Sequence, residues 1–130
     1  VFFTIHIDKV GELFSRIIQA FPVEQQPSIA FDLLSKVRVV IVQNLFKSND
    51  GKRLLVREGL VFTPEIKIKL ESIHYSKWSR WIEDYLSSNK ETIIDKLWGF
   101  YLERKVSKEE FIAKASFNEF KKRSEDIDND

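Results

Sequence analysis

The spacing of apolar positions alternates between strand-like and helical periods along the chain, and each change predicts an element. Val1-Phe2-Phe3-Thr4-Ile5-His6-Ile7 is β-branched and aromatic, the composition of a strand that needs cover on both faces. Asp8 stands where it can cap a helix whose apolar residues Val10, Leu13, Phe14, Ile17, Ile18 and Phe21 recur at helical spacing, with Phe21-Pro22 closing it. Beyond Pro27, the residues Ile29, Leu33, Val37, Val40 and Ile41 keep that spacing while β-branched residues accumulate, which predicts a change from helix to strand near Gln43. Ser48-Asn49-Asp50-Gly51 carries the Asp-Gly pair that tolerates positive φ. It predicts a hairpin joining Val42–Lys47 to the alternating stretch Lys52–Phe62. On that second strand Leu54, Val56, Glu58, Leu60 and Phe62 share one face, and Arg53, Leu55, Arg57, Gly59 and Val61 the other.

The rest of the chain reads as helices. Thr63-Pro64-Glu65 combines an N-cap, a first-position proline and a first-turn acid, so a helix starts there with Ile66, Leu70 and Ile73 turned inward. Trp78, Trp81, Ile82, Tyr85 and Leu86 form one aromatic stripe, and Ile93, Ile94, Leu97, Trp98 and Tyr101 another. Ser107 and Glu110 form a capping box with Val106 and Phe111 placed as a hydrophobic staple, and Ser116 with Glu119 repeats the box on a short last helix. A basic-then-acidic run from Lys121 to Asp130 has almost nothing to bury and predicts a disordered tail.

Composition narrows the function classes. The chain has 130 residues with 21 Lys and Arg against 20 Asp and Glu, so no bulk field gathers nucleic acid or acidic membrane. It has no cysteine, which excludes disulfides, thiolate zinc sites and a cysteine nucleophile and suits a cytoplasmic setting. No apolar run is long enough to span a bilayer, and the start lacks a basic region of the signal-peptide kind. Opening on an apolar strand, in a sequence without any methionine, Val1 reads as a cut inside a larger protein.

Little local chemistry is announced. The only two histidines, His6 and His74, stand far apart without partner cysteines, and Glu71 with His74 makes an ordinary surface pair. The four glycines are scattered, so no phosphate-cradling loop exists, and no strained nucleophile turn is present. Lys67, Lys69, Lys77 and Arg80 interleave with Tyr75, Trp78 and Trp81, which are the ingredients of a nucleic-acid surface. Helical spacing of the two tryptophans favours packing in a core or an interface instead. The aromatic stripes also exceed what a small bundle must bury, so part of them is expected to meet another domain or subunit.

The order of segments resembles a known family. Phe3-Thr4-Ile5-His6 followed by a capped helix, then Arg16-Ile17-Ile18, Phe21-Pro22 and Glu24-Gln25-Gln26, resembles the stretch after Walker B in the type II/type IV secretion ATPases. Leu33-Leu34-Ser35-Lys36-Val37-Arg38, Gln43-Asn44-Leu45, Asp50-Gly51-Lys52-Arg53 and Leu55-Val56-Arg57-Glu58-Gly59-Leu60-Val61-Phe62 look most like the plasmid-transfer and Dot/Icm branch, of TraJ and DotB type. The resemblance runs from Val1 to about Phe120 and rests on order and spacing rather than on one motif.

The resemblance implies the last part of a RecA-like core (strand, helices, β-hairpin; residues 1–63), then a C-terminal helical bundle (64–120) and the charged tail (121–130), an α/β to mostly α fold. It implies a cytoplasmic ring ATPase, usually hexameric, serving secretion or conjugation machinery at the inner membrane through partner proteins. ATP and Mg would belong to the parent protein and no cofactor to this piece, because Walker A, the Asp box and Walker B precede the matching segment. Thr4 and His6 match the close of the family's His box, beside the nucleotide. In pilus-retraction relatives the helix after the hairpin carries an Ala-Ile-Arg-Asn-Leu-Ile-Arg-type motif. Here Glu65-Ile66-Lys67-Ile68-Lys69-Leu70-Glu71 takes its place and keeps only the apolar frame and some positive charge. Lys67, Lys69, Trp78 and Trp81 are the expected interface or output residues. Two alternatives stand beside this reading: a free-standing helical adaptor docking through Trp78 and Trp81, and a nucleic-acid module using Lys67, Lys69 and Arg80.

Overall fold

The structure, a computed structural model, describes residues 8–128. The expected strand over 1–7, with Thr4 and His6, lies outside the described residues. In chain order the elements are α1 (Glu12–Ile18), α2 (Gln26–Lys36), β1 (Val39–Lys47), β2 (Arg53–Val61), α3 (Pro64–Glu71), α4 (Trp78–Ser88), α5 (Ile93–Leu102), α6 (Lys108–Lys114) and α7 (Phe117–Asp128). Short 3₁₀ turns precede α2 and α4, at Val23–Gln25 and Tyr75–Lys77. The two strands form one antiparallel hairpin, giving the mixed, mainly helical class that the pattern predicts.

The contacts group the chain into two units, 8–43 with 57–92 and 44–56 with 93–128. In the first, Phe14 of α1 meets the edges of Phe62 and Trp78 at ring separations of 5.6 and 5.5 Å. Ile66 and Leu70 of α3, Ile82 and Leu86 of α4, and Leu34 of α2 complete this core. Strand alternation holds as expected: Val56, Glu58, Leu60 and Phe62 are buried, while Arg57, Gly59 and Val61 face out. The Thr63 hydroxyl accepts from the Ile66 N–H and Pro64 opens α3, as the sequence indicates.

The second unit packs α5, α6 and α7 around Phe111. The rings of Trp98, Tyr101 and Phe120 surround it at 5.2, 6.4 and 6.3 Å, so the second aromatic stripe is used inside the unit. The hairpin tip belongs here. Gly51 takes φ 83°, the Asp50 carboxylate accepts from the Ser48 hydroxyl and the Lys52 N–H, and Asn49 N–H donates to the Lys105 carbonyl at 2.8 Å. The serine hydrogen bond, ahead of the backbone one, holds the Asp50 carboxyl below its ordinary value of 3.8. Helices α4 and α5 end in matching Schellman motifs. Glu91 N–H reaches the Leu86 carbonyl and Lys105 N–H the Phe100 carbonyl, both at 2.8 Å, with Lys90 and Arg104 left-handed at φ 57° and 64°.

Five expectations change. The helix-to-strand switch falls at Val37, whose ψ is 138°, because the β-branched Val37, Val39, Val40, Ile41 and Val42 favour extended backbone well before Gln43. Helix α1 begins at Glu12 with Gly11 as its N-cap, not at an Asp8 cap. Division after residue 63 does not match the packing, since Trp78 on α4 is locked against Phe14 on α1 and keeps 64–92 with the first unit. Residues 121–128 are helix rather than disordered tail. Arg123 anchors them through Asp95 at 2.9 Å and Glu119 at 2.6 Å, and these bonds outweigh its burial and raise its pKa. In both capping boxes only the hydroxyl half forms, with Glu110 turned to the Lys47 N–H and Glu119 to Arg123.

Candidate functional site

Two features of the first unit meet on α4. Where a side-chain cap was expected ahead of α1, two carboxylates from remote positions take the free backbone donors of the turn. Val10 N–H donates to Glu58 Oε2 at 2.8 Å and Gly11 N–H to Glu83 Oε1 at 2.9 Å. Glu58 is 1% exposed on the inner face of β2, a position where alternation otherwise places apolar residues. Glu83 is half-buried on α4, and its carboxyl is pushed above the ordinary 4.5 by burial first. The Gly11 N–H pulls it back, and the Glu58 charge raises it again. Gly11 makes the approach possible: a Cβ there would stand 2.5 Å from the Ser79 carbonyl oxygen.

On α4 farther along, an open groove of about 870 Å³ runs between the end of β2, α3 and the last turns of α4. Trp81 and Tyr85, four residues apart, stack with ring centroids 5.3 Å apart and planes within 10°, and they form one wall. Val61 and Ile66 supply apolar surface, and Glu65, Lys69 and Glu91 bring charge to the lining. Among the described residues no histidine, cysteine or serine is in the lining, and Thr63 spends its hydroxyl on capping α3.

The expected interface residues separate. Lys69 and Trp81 come together in the groove. Lys67 is half-buried and donates through Nζ to the Ser35 carbonyl at 3.2 Å, which ties α3 to the end of α2. Trp78 is core: it is 4% exposed, and its Nε1–H donates to the Leu70 carbonyl at 2.6 Å. His74 acts locally, with Nδ1 accepting from the Ser76 N–H at 3.2 Å ahead of the 3₁₀ turn and its ring stacked on Tyr75. Among the described residues no cluster of potential metal ligands occurs. Sequence reasoning passed over Tyr85 as a site residue, and Glu58 and Glu83 as partners of the turn. Only Glu58 carries a readable signal, an acid on the buried face of an alternating strand.

No protein-family model and no curated protein matches the sequence. Solved structures do. The ATPase DotB of Legionella pneumophila is similar with TM-score 0.71 and 22% identity over 82% of this chain and 29% of that one. DotB of Yersinia pseudotuberculosis gives 0.70 and 18% over 82% and 28%. The pilus retraction motor PilT, solved with bound ADP, gives 0.66 and 20% over 84% and 30%. The chain has the fold of part of these ATPases. That agrees with the resemblance carried by its residues. The chain spans less than a third of the length of DotB or PilT. Within this DotB-like fold, both the carboxylate-held turn and the aromatic groove belong to the first unit.

Proposed function

We propose that this chain is the C-terminal part of a secretion or plasmid-transfer motor ATPase, acting in ring assembly and in passing nucleotide-driven motion to partner proteins. The observation that carries the reading is the overlap with DotB, TM-score 0.71 across 82% of the chain. Under this reading the parent protein is a homo-oligomer, a hexameric ring, held at the inner membrane through the machinery it drives. ATP and Mg are bound by the part of the parent that carries its Walker motifs, because the four scattered glycines here offer no phosphate cradle. The groove wall of Trp81 and Tyr85, with Lys69 beside it, is the face that meets a neighbouring subunit or partner.

Reading the coding DNA upstream of Val1 and assaying both polypeptides tests this. A frame encoding a glycine-rich phosphate loop and acidic motifs is expected, with ATP hydrolysis by the longer polypeptide and weak or no ATP binding by the 130-residue chain. A start codon directly before Val1, or tight ATP binding by the chain alone, refutes it. In that case the groove supports the adaptor reading, with Trp81 and Tyr85 as its docking wall.

A further inference from the structure

Two surface features of the second unit break local electrostatic rules in opposite directions. On the hairpin, Ser48 N–H donates to the Lys52 carbonyl at 2.8 Å, which sets Lys47 directly opposite Arg53 and Leu45 opposite Leu55 on the outward face. Such opposed residues lie about 4.5–5.5 Å apart, and like charges in that relation destabilise a hairpin. The acids around the tip are engaged elsewhere: Asp50 with the turn, Glu103 with Lys105 Nζ at 3.1 Å, and Glu110 with the Lys47 N–H at 3.3 Å. Lys52 and Arg104 add charge of the same sign at the tip, where the Arg104 carbonyl accepts from Asn49 Nδ2 at 2.8 Å. At the far end of α7 the sign is reversed. Glu125 and Asp126 stand in its last turn, which holds no basic residue, although the helix dipole disfavours negative charge there. Among the described residues Lys47, Arg53, Glu125 and Asp126 have no ion-pair partner. Each feature also carries apolar surface: Leu45 and Leu55 are 57% and 43% exposed beside the cations, and Ile127 is 47% exposed next to Asp126.

We propose that the hairpin face formed by Leu45, Lys47, Arg53 and Leu55 receives the last turn of α7 from a second copy of this chain, with Glu125 and Asp126 against the cations and Ile127 against the leucines. Docking relieves both local costs at once, because each set of charges supplies the counter-charge that the other lacks. Contact between Ile127 and the leucines excludes water beside the ion pairs, which strengthens them over pairs left in solvent. The face presents no aromatic ring on which a nucleic-acid base could stack, so its mixture of cations and leucines suits an acidic, partly apolar protein segment. One helical turn on four side chains buries far less than a standard interface. The contact therefore joins isolated chains only at high concentration and gains when it is repeated around an oligomer. The inference extends the homo-oligomer reading above without resting on it, since its test needs only the 130-residue chain and the upstream DNA decides the motor reading separately.

Sedimentation velocity of the 130-residue chain over rising concentration, in salt of about 0.01 M and about 1 M, tests the contact. At low salt the weight-average mass is expected to climb above that of one chain. At high salt, where screening acts within about 3 Å, the association constant should fall about tenfold or more. Lys47→Glu with Arg53→Glu, and separately Glu125→Lys with Asp126→Lys, should each weaken low-salt association by about tenfold or more, because attractions become repulsions. A chain carrying all four changes should recover it. Arg53→Glu alone sets opposite charges across the hairpin, so its urea midpoint should be no lower than that of the wild type while its association still weakens, which separates loss of contact from loss of fold. A monomer at every concentration in low salt, association indifferent to salt or to either reversal, or no recovery in the fourfold variant would overturn the proposal. A lower urea midpoint for Arg53→Glu would overturn the like-charge argument on which it stands.

Discussion

Replacing Gly11 by alanine isolates the contact on which the first unit turns. Gly11 has φ −62° and ψ −24°, a conformation open to any residue, so backbone strain is not the issue and space is. The added Cβ would stand 2.5 Å from the Ser79 carbonyl oxygen, 2.9 Å from Glu83 Cγ and 3.0 Å from Glu83 Oε1. Glu83 can swing aside, but the Ser79 oxygen is helix backbone and cannot, so α1 and α4 must part. Such overpacking costs about 1–3 kcal/mol. Losing the 2.9 Å bond from Gly11 N–H to Glu83 adds about 1–2 kcal/mol. The reduced freedom of an alanine-bearing unfolded chain returns about 0.4–1 kcal/mol. The net expectation is a loss of about 2–3 kcal/mol, and for 130 residues unfolding in one transition 2 kcal/mol lowers Tm by about 7 °C. Gly99→Ala is the control: it lies within α5 with nothing within 4 Å of the new carbon, and should stabilise by about 0.5–1 kcal/mol. Urea unfolding followed by far-UV circular dichroism and tryptophan fluorescence measures both variants. A Gly11→Ala midpoint within about 0.5 kcal/mol of wild type, or shifts of the same sign in the two variants, would refute the steric argument.

The other predictions concern the tryptophans and a helix end. Trp78→Phe keeps a ring against Phe14 but loses the 2.6 Å bond to the Leu70 carbonyl, which still accepts from the Ile73 N–H at 3.2 Å, and with the smaller ring's lost packing should cost about 1–3 kcal/mol in urea unfolding. Trp81→Phe on the groove wall should cost under about 1 kcal/mol in the same assay, so equal losses at the two positions would contradict the division into core and groove. Lys90→Gly should raise stability by about 1 kcal/mol, since glycine adopts φ 57° without the Cβ clash while the Schellman bonds stay in place; a lower thermal midpoint would show the lysine side chain contributes more than its strain costs.

The groove explains why the sequence divides the two tryptophans poorly. Trp78 and Trp81 are three residues apart, close enough to share one helical stripe, yet one carries a core hydrogen bond and the other stacks on Tyr85 beside open space. Periodicity marks a face roughly a hundred degrees wide, and only the elements packed against it decide which residues lie at its centre and which at its rim. The same applies to Lys67 and Lys69, which point to the α2 end and to the groove respectively.

Local interactions alone determine much of this protein, and those are what the sequence made legible. The Asp-Gly turn and its alternating strand, the Thr63-Pro64 start of α3, and the serine caps at Ser107 and Ser116 all stand where residue chemistry puts them, because each is decided within a few residues. Helix α1 is the exception. Its start is fixed by hydrogen bonds spanning 48 and 72 residues, and an Asp8 that looks like a cap yields to Glu58 and Glu83. The late helix over 121–128 likewise depends on a 28-residue reach from Arg123 to Asp95. Tertiary structure alone decided those points, together with the membership of α3 and α4 in the first unit. A donor accepts whichever partner the packing brings nearest, and the identity of that partner is not written in the neighbouring residues.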